Sequence, residues 1–160
     1  MNAAVWNHCQ VIHFLLGCHA AVNAQNKFGV TALAEAAAWG RLEACRMLLE
    51  NGAEVDLADR YGKTPLIAAC SSLQLGTAAG HIATVKLLLA LGAEVNARNK
   101  NGRTPLMFAA YSGNTDIIRP LLDAGAEVNA TNKIGKTALQ WATKAGHSEA
   151  VAMLKEAGAS

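Results

Sequence analysis

The sequence predicts an all-α repeat solenoid, in which helix-turn-helix pairs stack side by side and project turns from one edge. The main evidence is a pattern that occurs four times, most clearly at residues 59–66 (DRYGKTPL). Its copies begin at residues 26, 59, 99 and 132, at intervals of 33, 40 and 33 residues. A period in this range is typical of stacked repeats. Glycines and leucine pairs recur in the same register, which supports the same fold class.

The composition fits closely packed helices and gives no support to membrane binding. Hydrophobic residues make up 52% of the 160 residues but aromatic residues only 5%, because alanine supplies much of the apolar total. The 14 basic and 12 acidic residues leave a formal charge of +2, so bulk charge indicates no nucleic-acid partner. No apolar run approaches the roughly 20 residues that span a bilayer, and we expect no membrane association.

The N-terminus and the cysteines favour an intracellular location. The first residues show no basic leader and no signal-peptide layout. The four cysteines, Cys9, Cys18, Cys45 and Cys70, have no spacing that indicates a disulfide framework. We therefore expect a cytoplasmic protein with reduced thiols, and the nucleus remains open as a location.

The first half of a repeat is a turn followed by a helix, and residues 99–113 illustrate it. Asn99 to Gly102 should form a β-turn, since an Asx side chain can bond its own backbone and glycine suits the last position. Thr104 can cap the helix, and Pro105 can take the first helical position, where its missing N–H costs nothing.

The second half is another helix and a return segment. Residues 116–124 place their apolar side chains on one stripe, and Gly125 can end this helix in the left-handed conformation. Residues 126–130 are expected to be extended. The same glycines recur: Gly40, Gly80, Gly113 and Gly146 are predicted to end the first helices, and Gly52, Gly92, Gly125 and Gly158 the second helices.

The register divides the chain into five units of a single domain. We assign 1–25 to a partial repeat, 26–58 to a repeat, 59–98 to a repeat with seven extra residues, 99–131 to a repeat and 132–160 to the C-terminal repeat. The first unit lacks its turn and half of its first helix, because residues 3–6 (AAVW) already match residues 36–39 (AAAW).

These motifs resemble those of the ankyrin-repeat family. The resemblance is carried by the GKTPL and GRTPL runs at 62–66 and 102–106, by the repeated GAEVN and GAEVD runs, and by Gly146 with His147, and it extends over essentially all 160 residues. It implies L-shaped repeats, hairpin fingers projecting from antiparallel helix pairs and a curved solenoid. It also implies binding to another protein rather than catalysis, with no cofactor.

Three departures from the family pattern bear on the fold. The histidine that follows Thr-Pro-Leu in the family is replaced in every repeat, by Ala34, Ile67, Met107 and Gln140, so apolar packing is expected there. The seven extra residues fall at about 71–77, where an insertion is either a tolerated surface loop or part of a binding face. Pro120 lies inside a second helix, and we predict a kink or a helix whose regular part starts later.

Few residues suggest catalysis or metal binding. Cys9 and His13 lie one helical turn apart and could face one metal ion. No second closely spaced ligand pair completes a tetrahedral set, so we predict no metal site. No phosphate-binding glycine loop and no nucleophile–base grouping stands out. The carboxylates Glu54, Glu94 and Glu127 repeat with the scaffold, which favours a structural role, and we predict that the protein is not an enzyme.

Basic and aromatic residues near the turns are the candidate partner-binding residues. Stacking should place the basic ones in a ladder along one edge: Lys27, Arg60, Lys63, Lys100, Arg103, Lys133 and Lys136. Aromatic residues with arginine are frequent anchors of protein interfaces. From the turns and the ends of the first helices we select Phe28, Trp39, Arg60, Tyr61, Lys63, Arg103, Tyr111 and Lys136.

The predicted function is a non-catalytic scaffold that binds another protein through its concave face and finger tips. The alternative is a regulatory or targeting part of a larger enzyme or membrane protein, which the incomplete first repeat favours. Nucleic-acid binding through the basic ladder is a third interpretation, against which the small net charge argues. We expect a monomer, or association through the first repeat, where Trp6, Ile12, Phe14 and Leu15 lose part of their cover.

Overall fold

The protein is a stack of ten helices in two layers, as a computed structural model shows for residues 1–72 and 77–160. The helices are α1 (Asn2–Val5), α2 (Cys9–Gly17), α3 (Ala32–Ala38), α4 (Leu42–Glu50), α5 (Pro65–Ser71), α6 (Ala78–Ala90), α7 (Pro105–Ser112), α8 (Thr115–Asp123), α9 (Ala138–Ala145) and α10 (Ser148–Glu156). No β-strand occurs within the described ranges. The predicted all-α solenoid is confirmed.

Odd-numbered and even-numbered helices form separate layers. Each odd-numbered helix contacts the next odd-numbered one, each even-numbered helix contacts the next even-numbered one, and each odd-numbered helix packs on the even-numbered helix that follows it. The core between the layers is built from small and branched aliphatic side chains, among them Ala36, Ala37, Leu48, Leu66, Leu88, Leu106, Ile117 and Leu121. Alanines let the helices approach closely, which explains the alanine-rich composition.

Four tight turns, which we call the finger turns, precede α3, α5, α7 and α9. They begin at Asn26, Asp59, Asn99 and Asn132, and each is closed by a backbone hydrogen bond of 2.8–2.9 Å between its first and fourth residues. In every turn the Asx Oδ1 accepts from the backbone N–H groups two and four residues further on, at 2.8–3.1 Å. The predicted Asx chemistry is confirmed, and the implied hairpin fingers are turns without strand pairs in the described residues.

Threonines cap the helices that follow the finger turns, as predicted for Thr104. The Oγ1 atoms of Thr31, Thr64, Thr104 and Thr137 each accept from the backbone N–H three residues on, at 3.1–3.4 Å. Pro65 and Pro105 take the first helical positions. These bonds satisfy N–H groups that would otherwise lack a partner at the start of each helix.

The residues that replace the family's histidine behave in two ways. Ala34, Ile67 and Met107 are buried, so the expected apolar packing is confirmed for them. Gln140 is exposed, and its Oε1 accepts from the Thr137 backbone N–H at 3.3 Å. The expectation was wrong for Gln140, because its amide completes a capping box instead of entering the core.

Gly80 does not end a first helix, contrary to the prediction. Helix α5 already ends at Ser71, and Gly80 lies in the first turn of α6. Thr77 Oγ1 accepts from the Gly80 N–H at 3.1 Å and caps a helix that begins ahead of the glycine. The other glycines of this set, Gly40, Gly113 and Gly146, have positive φ angles of 61°, 68° and 79° at helix ends, as predicted.

The range predicted for the seven-residue insertion, 71–77, begins at the last residue of α5 and ends at the cap of α6. Ser71 ends α5 and Thr77 caps α6. Residues 73–76 lie outside the described residues, so a role of the insertion in binding stays a prediction.

The return segments after the even-numbered helices bend instead of extending. After α8, the Ala130 N–H donates to the Glu127 carbonyl at 3.2 Å, and after α6 the Ala97 N–H donates to the Glu94 carbonyl at 3.1 Å. The expected extended conformation of 126–130 is therefore wrong. The bend lets Asn129 Nδ2 reach across the stack to the Gly158 carbonyl at 3.0 Å.

Helix α8 continues through Pro120. It begins at Thr115, so the prediction that its regular part starts later is not met. Asn114 Oδ1 caps it by accepting from the Ile117 N–H at 3.2 Å. Because Ile117, Ile118 and Leu121 are fully buried, tertiary packing offsets the hydrogen bond that proline removes.

The first helix pair is the least covered part of the stack. Trp6, Phe14 and Leu15 are 64%, 68% and 43% exposed, which agrees with the expected loss of cover. Ile12 is an exception to that expectation, since it is buried in the common core with Ala4.

Candidate partner-binding surface

Most of the predicted binding residues lie on one surface, which we call the inner face. It consists of the finger turns and the sides of α3, α5, α7 and α9 that face away from the even-numbered layer. Backbone hydrogen bonds join neighbouring finger turns. They run from Arg60 N–H to the Phe28 carbonyl (3.0 Å), from Lys100 N–H to the Tyr61 carbonyl (2.8 Å) and from Lys133 N–H to the Asn101 carbonyl (3.1 Å). The turns therefore form one continuous edge of the inner face.

The basic residues form two rows where the sequence predicted one ladder. The tip row lies at the second position of the finger turns and is exposed: Lys27, Arg60, Lys100 and Lys133. The inner row lies at the fifth position, beside the odd-numbered helices: Lys63, Arg103 and Lys136. The two rows differ in what they can contact, since only the inner row borders the helical surface.

Exposed apolar residues accompany the tip row. Phe28, Tyr61 and Ile134 occupy the third position of their turns and are 50%, 64% and 70% exposed. Lys27 Nζ lies 5.0 Å from the centroid of the Phe28 ring. Phe28 and Tyr61 belong to neighbouring turns, so together with Arg60 they form a mixed aromatic and basic patch at the edge.

Lys63 is half-buried between α3 and α5. Its Nζ lies 3.4 Å from Ser72 Oγ, and it borders a cavity of about 120 Å³ together with Glu35 and Asp59. Burial lowers the pKa of Lys63, while the Asp59 and Glu35 carboxylates act in the opposite direction. Both carboxylates offset its charge, so Lys63 is less available to a partner than Arg60.

Four aromatic and basic side chains on α7, α9 and the third finger turn lie together around Trp141. Arg103 Cζ lies 4.4 Å from the centroid of the Trp141 ring and 5.8 Å from that of Phe108. Tyr111 meets Trp141 edge to face, with 5.6 Å between centroids. Lys144 Nζ lies 5.7 Å from the Trp141 centroid. We call these five residues the aromatic–cation cluster.

Three cavities open around this cluster. The largest, about 930 Å³, lies between α5, α7 and α9 and is lined by Phe108, Tyr111 and Lys144. A cavity of about 150 Å³ lies between Arg103, Phe108, Tyr111 and Trp141, and one of about 550 Å³ lies between Trp141, Lys144 and Lys136. The cluster thus forms the walls between three depressions of the inner face.

Trp39 lies at the opposite end of the inner face. Its ring centroid is 6.3 Å from that of Trp6, and Arg41 Cζ lies 5.9 Å from the Trp39 centroid. Arg41 Nε also donates to the Val5 carbonyl at 2.8 Å. Trp39 therefore contributes to packing between the first two helix pairs, in addition to any contact with a partner.

The structure brings some predicted residues together and separates others. Arg103 and Tyr111 belong to the aromatic–cation cluster, Lys136 borders it, and Phe28, Arg60 and Tyr61 share the edge patch. Sequence reasoning missed Phe108, Trp141 and Lys144 as members of a binding surface. A signal was present, because Phe108 and Trp141 both follow their capping threonines by four residues and so fall at equivalent positions of α7 and α9.

The residues considered for catalysis or metal binding do not form a site in the described ranges. Cys9 Sγ lies 3.8 Å from Asn7 Oδ1, and no group of three or more possible metal ligands occurs within residues 1–72 and 77–160. All four cysteines are free thiols. Burial raises the pKa of Cys45 to about 12 and raises that of Cys70 as well, so neither thiol ionises at neutral pH.

None of the helices in residues 1–72 and 77–160 has the length and apolar character that crossing a bilayer requires.

Comparison with protein families agrees with the architecture. A family model described as ankyrin repeats (3 copies) matches residues 1–98 and residues 73–160, so the two matches extend over the whole chain. The resemblance drawn from the sequence motifs is thereby confirmed.

Proposed function

Because the chain belongs to the ankyrin-repeat family, whose repeats are protein–protein interaction modules, we propose that it is a non-catalytic scaffold that binds a partner protein through its inner face and finger tips. The observation that carries this proposal is the aromatic–cation cluster. Tyr111 is 55% exposed beside Trp141 and Arg103, in a part of the protein where aliphatic side chains fill the core.

The chemistry of this surface supports a protein partner. Trp, Tyr and Arg dominate the residues that contribute most to interfaces, because they bury a large area and retain a polar group. The cavities beside Tyr111 and Trp141 offer concave space for side chains of a partner. The edge patch of Phe28, Arg60 and Tyr61 extends the same kind of surface along the finger turns.

The two basic rows also suit association with a partner. Exposed tip-row charges increase the rate of encounter, whereas the partly desolvated charges of Lys63 and Arg103 in the inner row fix orientation. The second position of each finger turn needs no particular side chain for the turn itself, since the turn is closed by Asx and glycine. The tip-row charges therefore have no role in forming the turns and are available for contact with a partner.

Affinity capture from an extract of the cells that make the protein tests this function. The inner-face variant combines Arg103→Glu with Tyr111→Ala, a second variant carries Tyr61→Ala, and Arg119→Glu on the exposed side of α8 is the matched control. We expect proteins captured by the wild type to be depleted with the first two variants and retained with the control, as quantitative mass spectrometry would show. Equal retention by all variants would show that the partner binds elsewhere.

A further inference from the structure

We propose that the aromatic–cation cluster recognises an acidic segment of the partner protein, with a carboxylate on Arg103 and a neighbouring bulky apolar side chain in the cavity beside Tyr111. The proposal rests on the proposed function. It restricts binding to the half of the inner face formed by α7, α9 and their finger turns, and to a partner segment that carries carboxylates.

Three cations without an ion pair among the described residues surround Trp141 in this half of the inner face. Two ion pairs occur within the described ranges, Arg46 with Glu43 and Arg98 with Glu127, and neither includes a cluster residue. Arg103, Lys136 and Lys144 have no carboxylate within ion-pair distance in the part of the chain that the structure describes. Charge complementarity therefore calls for an anionic partner group at this place.

Arg103 is held in a position suited to binding a carboxylate. Its guanidinium lies over Trp141 at 4.4 Å and near Phe108 at 5.8 Å, so the aromatic rings restrain its orientation. No acceptor for the guanidinium N–H groups is present among the described residues. A planar guanidinium with free donors binds carboxylates in a bidentate manner, and its prior restraint reduces the entropy lost on binding.

The cavity next to the cluster supplies the apolar part of the site. It measures about 930 Å³, and its walls include the Phe108 and Tyr111 rings, with Ser71, Ser112 and Asn114 among the polar residues at its border. The two rings form an apolar wall of this otherwise polar cavity, against which one large apolar side chain can pack. Since Tyr111 also contacts Trp141, that side chain would lie directly beside the Arg103 site.

The other half of the inner face has a different character. Between α3 and α5 the surface is lined by small residues such as Ala38 and Ala68, together with Glu35. The inner-row cation there, Lys63, is already offset by Glu35 and Asp59. A carboxylate of the partner would meet repulsion from Glu35 between α3 and α5, which favours acidic recognition at the cluster.

A random peptide library displayed on phage provides the test, with the intact chain as the immobilised target. We expect selected peptides to be enriched in Asp or Glu next to Leu, Phe or another large apolar residue. A synthetic selected peptide should lose at least about tenfold in affinity when Arg103→Gln is introduced, as expected for loss of a charge-assisted hydrogen bond. It should also lose affinity for the chain when its acidic residues are replaced by Asn or Gln.

Control variants separate recognition from folding. Arg119→Gln, on the exposed side of α8, should leave the affinity unchanged, and Tyr111→Phe should retain more affinity than Tyr111→Ala. Equal thermal unfolding of the wild type and Arg103→Gln would show that the loss is not a folding defect.

Other outcomes would overturn the proposal in distinguishable ways. Selected peptides that lack acidic residues but still depend on Tyr111 would refute acidic recognition and leave the inner-face function standing. Peptides that are indifferent to every inner-face variant, or a library that yields no peptide, would count against both. A labelled single-stranded oligonucleotide that binds more tightly than the peptides, and loses binding with Arg103→Gln, would replace the acidic segment with nucleic acid as the ligand.

Discussion

Asn23, Asp56, Asn96 and Asn129 occupy equivalent positions in four units, and Asp56 is the one whose side chain has no N–H donor. The amides of Asn23, Asn96 and Asn129 donate to the carbonyls of Gly52, Gly125 and Gly158 at 3.0–3.2 Å, and their Oδ1 atoms accept from backbone N–H groups of the next unit at 2.8–3.0 Å. Asp56 accepts from the Glu94 N–H at 3.1 Å, but an ionised carboxylate has nothing to donate. Burial raises the pKa of Asp56; the hydrogen bond from the Glu94 N–H opposes this in part, and the Glu94 carboxylate adds to it.

Asp56→Asn is therefore expected to raise the free energy of unfolding at neutral pH by about 1 kcal/mol. Because the folded state holds the Asp56 proton more tightly than the unfolded state, the wild type loses stability as pH rises from the ordinary value of 3.8 to the raised pKa. The advantage of the variant should shrink below that window, where the carboxyl group is protonated. Urea denaturation on both sides of the window measures this, and Asn96→Asp, which makes the opposite change, should be destabilising.

Gly80 packs directly against the backbone of Gly40 in the neighbouring unit and leaves no room for a side chain. A Cβ at this position would collide with the Gly40 carbonyl oxygen and approach Thr77 Oγ1 to 2.9 Å. We expect Gly80→Ala to lower the free energy of unfolding by about 1–3 kcal/mol through overpacking, even though alanine is the better helix former.

Gly17 is the matched control for that substitution. It is the last residue of α2, and no atom lies within 4 Å of a Cβ built on it. Gly17→Ala should be neutral or stabilising by up to about 1 kcal/mol. Thermal unfolding compares the two variants, and a stabilising Gly80→Ala would show that the α6 backbone does not approach Gly40 this closely.

At the scale of elements, local sequence determined the starts of the four helices that follow the finger turns. The Asx turns, the threonine caps and the prolines at the first helical positions all act within a few residues, so their chemistry could be predicted from spacing alone. The start of α6 could not, because Gly80 matches glycines that end helices elsewhere, while Thr77 supplies an earlier cap. The bends after the even-numbered helices were also missed from the sequence. The bend at 127–130 brings Asn129 to the Gly158 carbonyl of the neighbouring unit, and such a contact between units cannot be predicted from local spacing.

The candidate site could be predicted only in part. Arg103 and Tyr111 were found because arginine and tyrosine near turns suggest an interface. Their contact with Trp141 could not be found, since α7 and α9 are separated by the whole of α8 in sequence and meet only through the stacking of odd-numbered helices. Lys63 carried the same signal as Arg103, yet burial beside Glu35 gives it a different environment.

Threonine capping should contribute measurably to the stability of individual helices. Thr104 is 2% exposed, and its Oγ1 accepts from the Met107 N–H. Thr104→Ala should lower the free energy of unfolding by about 1 kcal/mol, because that N–H loses its partner at the start of α7. Thr104→Ser retains the hydroxyl group and should lose less. Chemical denaturation measures both, and equal losses would mean that methyl packing, and not the cap, is responsible.

For the whole molecule, the two ends of the stack differ in how well they are covered. Helices α1 and α2 bury only Ala4 and Ile12, and they leave Trp6 and Phe14 exposed. At the other end, α9 and α10 bury Ala138, Ala142, Ala150 and Leu154. In a stack where each unit contacts only its neighbours, stability is close to a sum of unit and interface terms. The end with the smaller buried surface should therefore open first.

Hydrogen exchange should resolve this order along the chain. Amides of α1 and α2 are expected to exchange fastest, those of α9 and α10 more slowly, and those of α5 to α8 most slowly, because the central helices have neighbours on both sides. Ile12→Ala should speed exchange mainly in α1 and α2, whereas Leu121→Ala in the central core should speed it across the stack and lower the global free energy of unfolding by about 3 kcal/mol. Faster exchange in α10 than in α2 would contradict the asymmetry, and equal effects of the two substitutions would mean that the stack opens as a single cooperative unit.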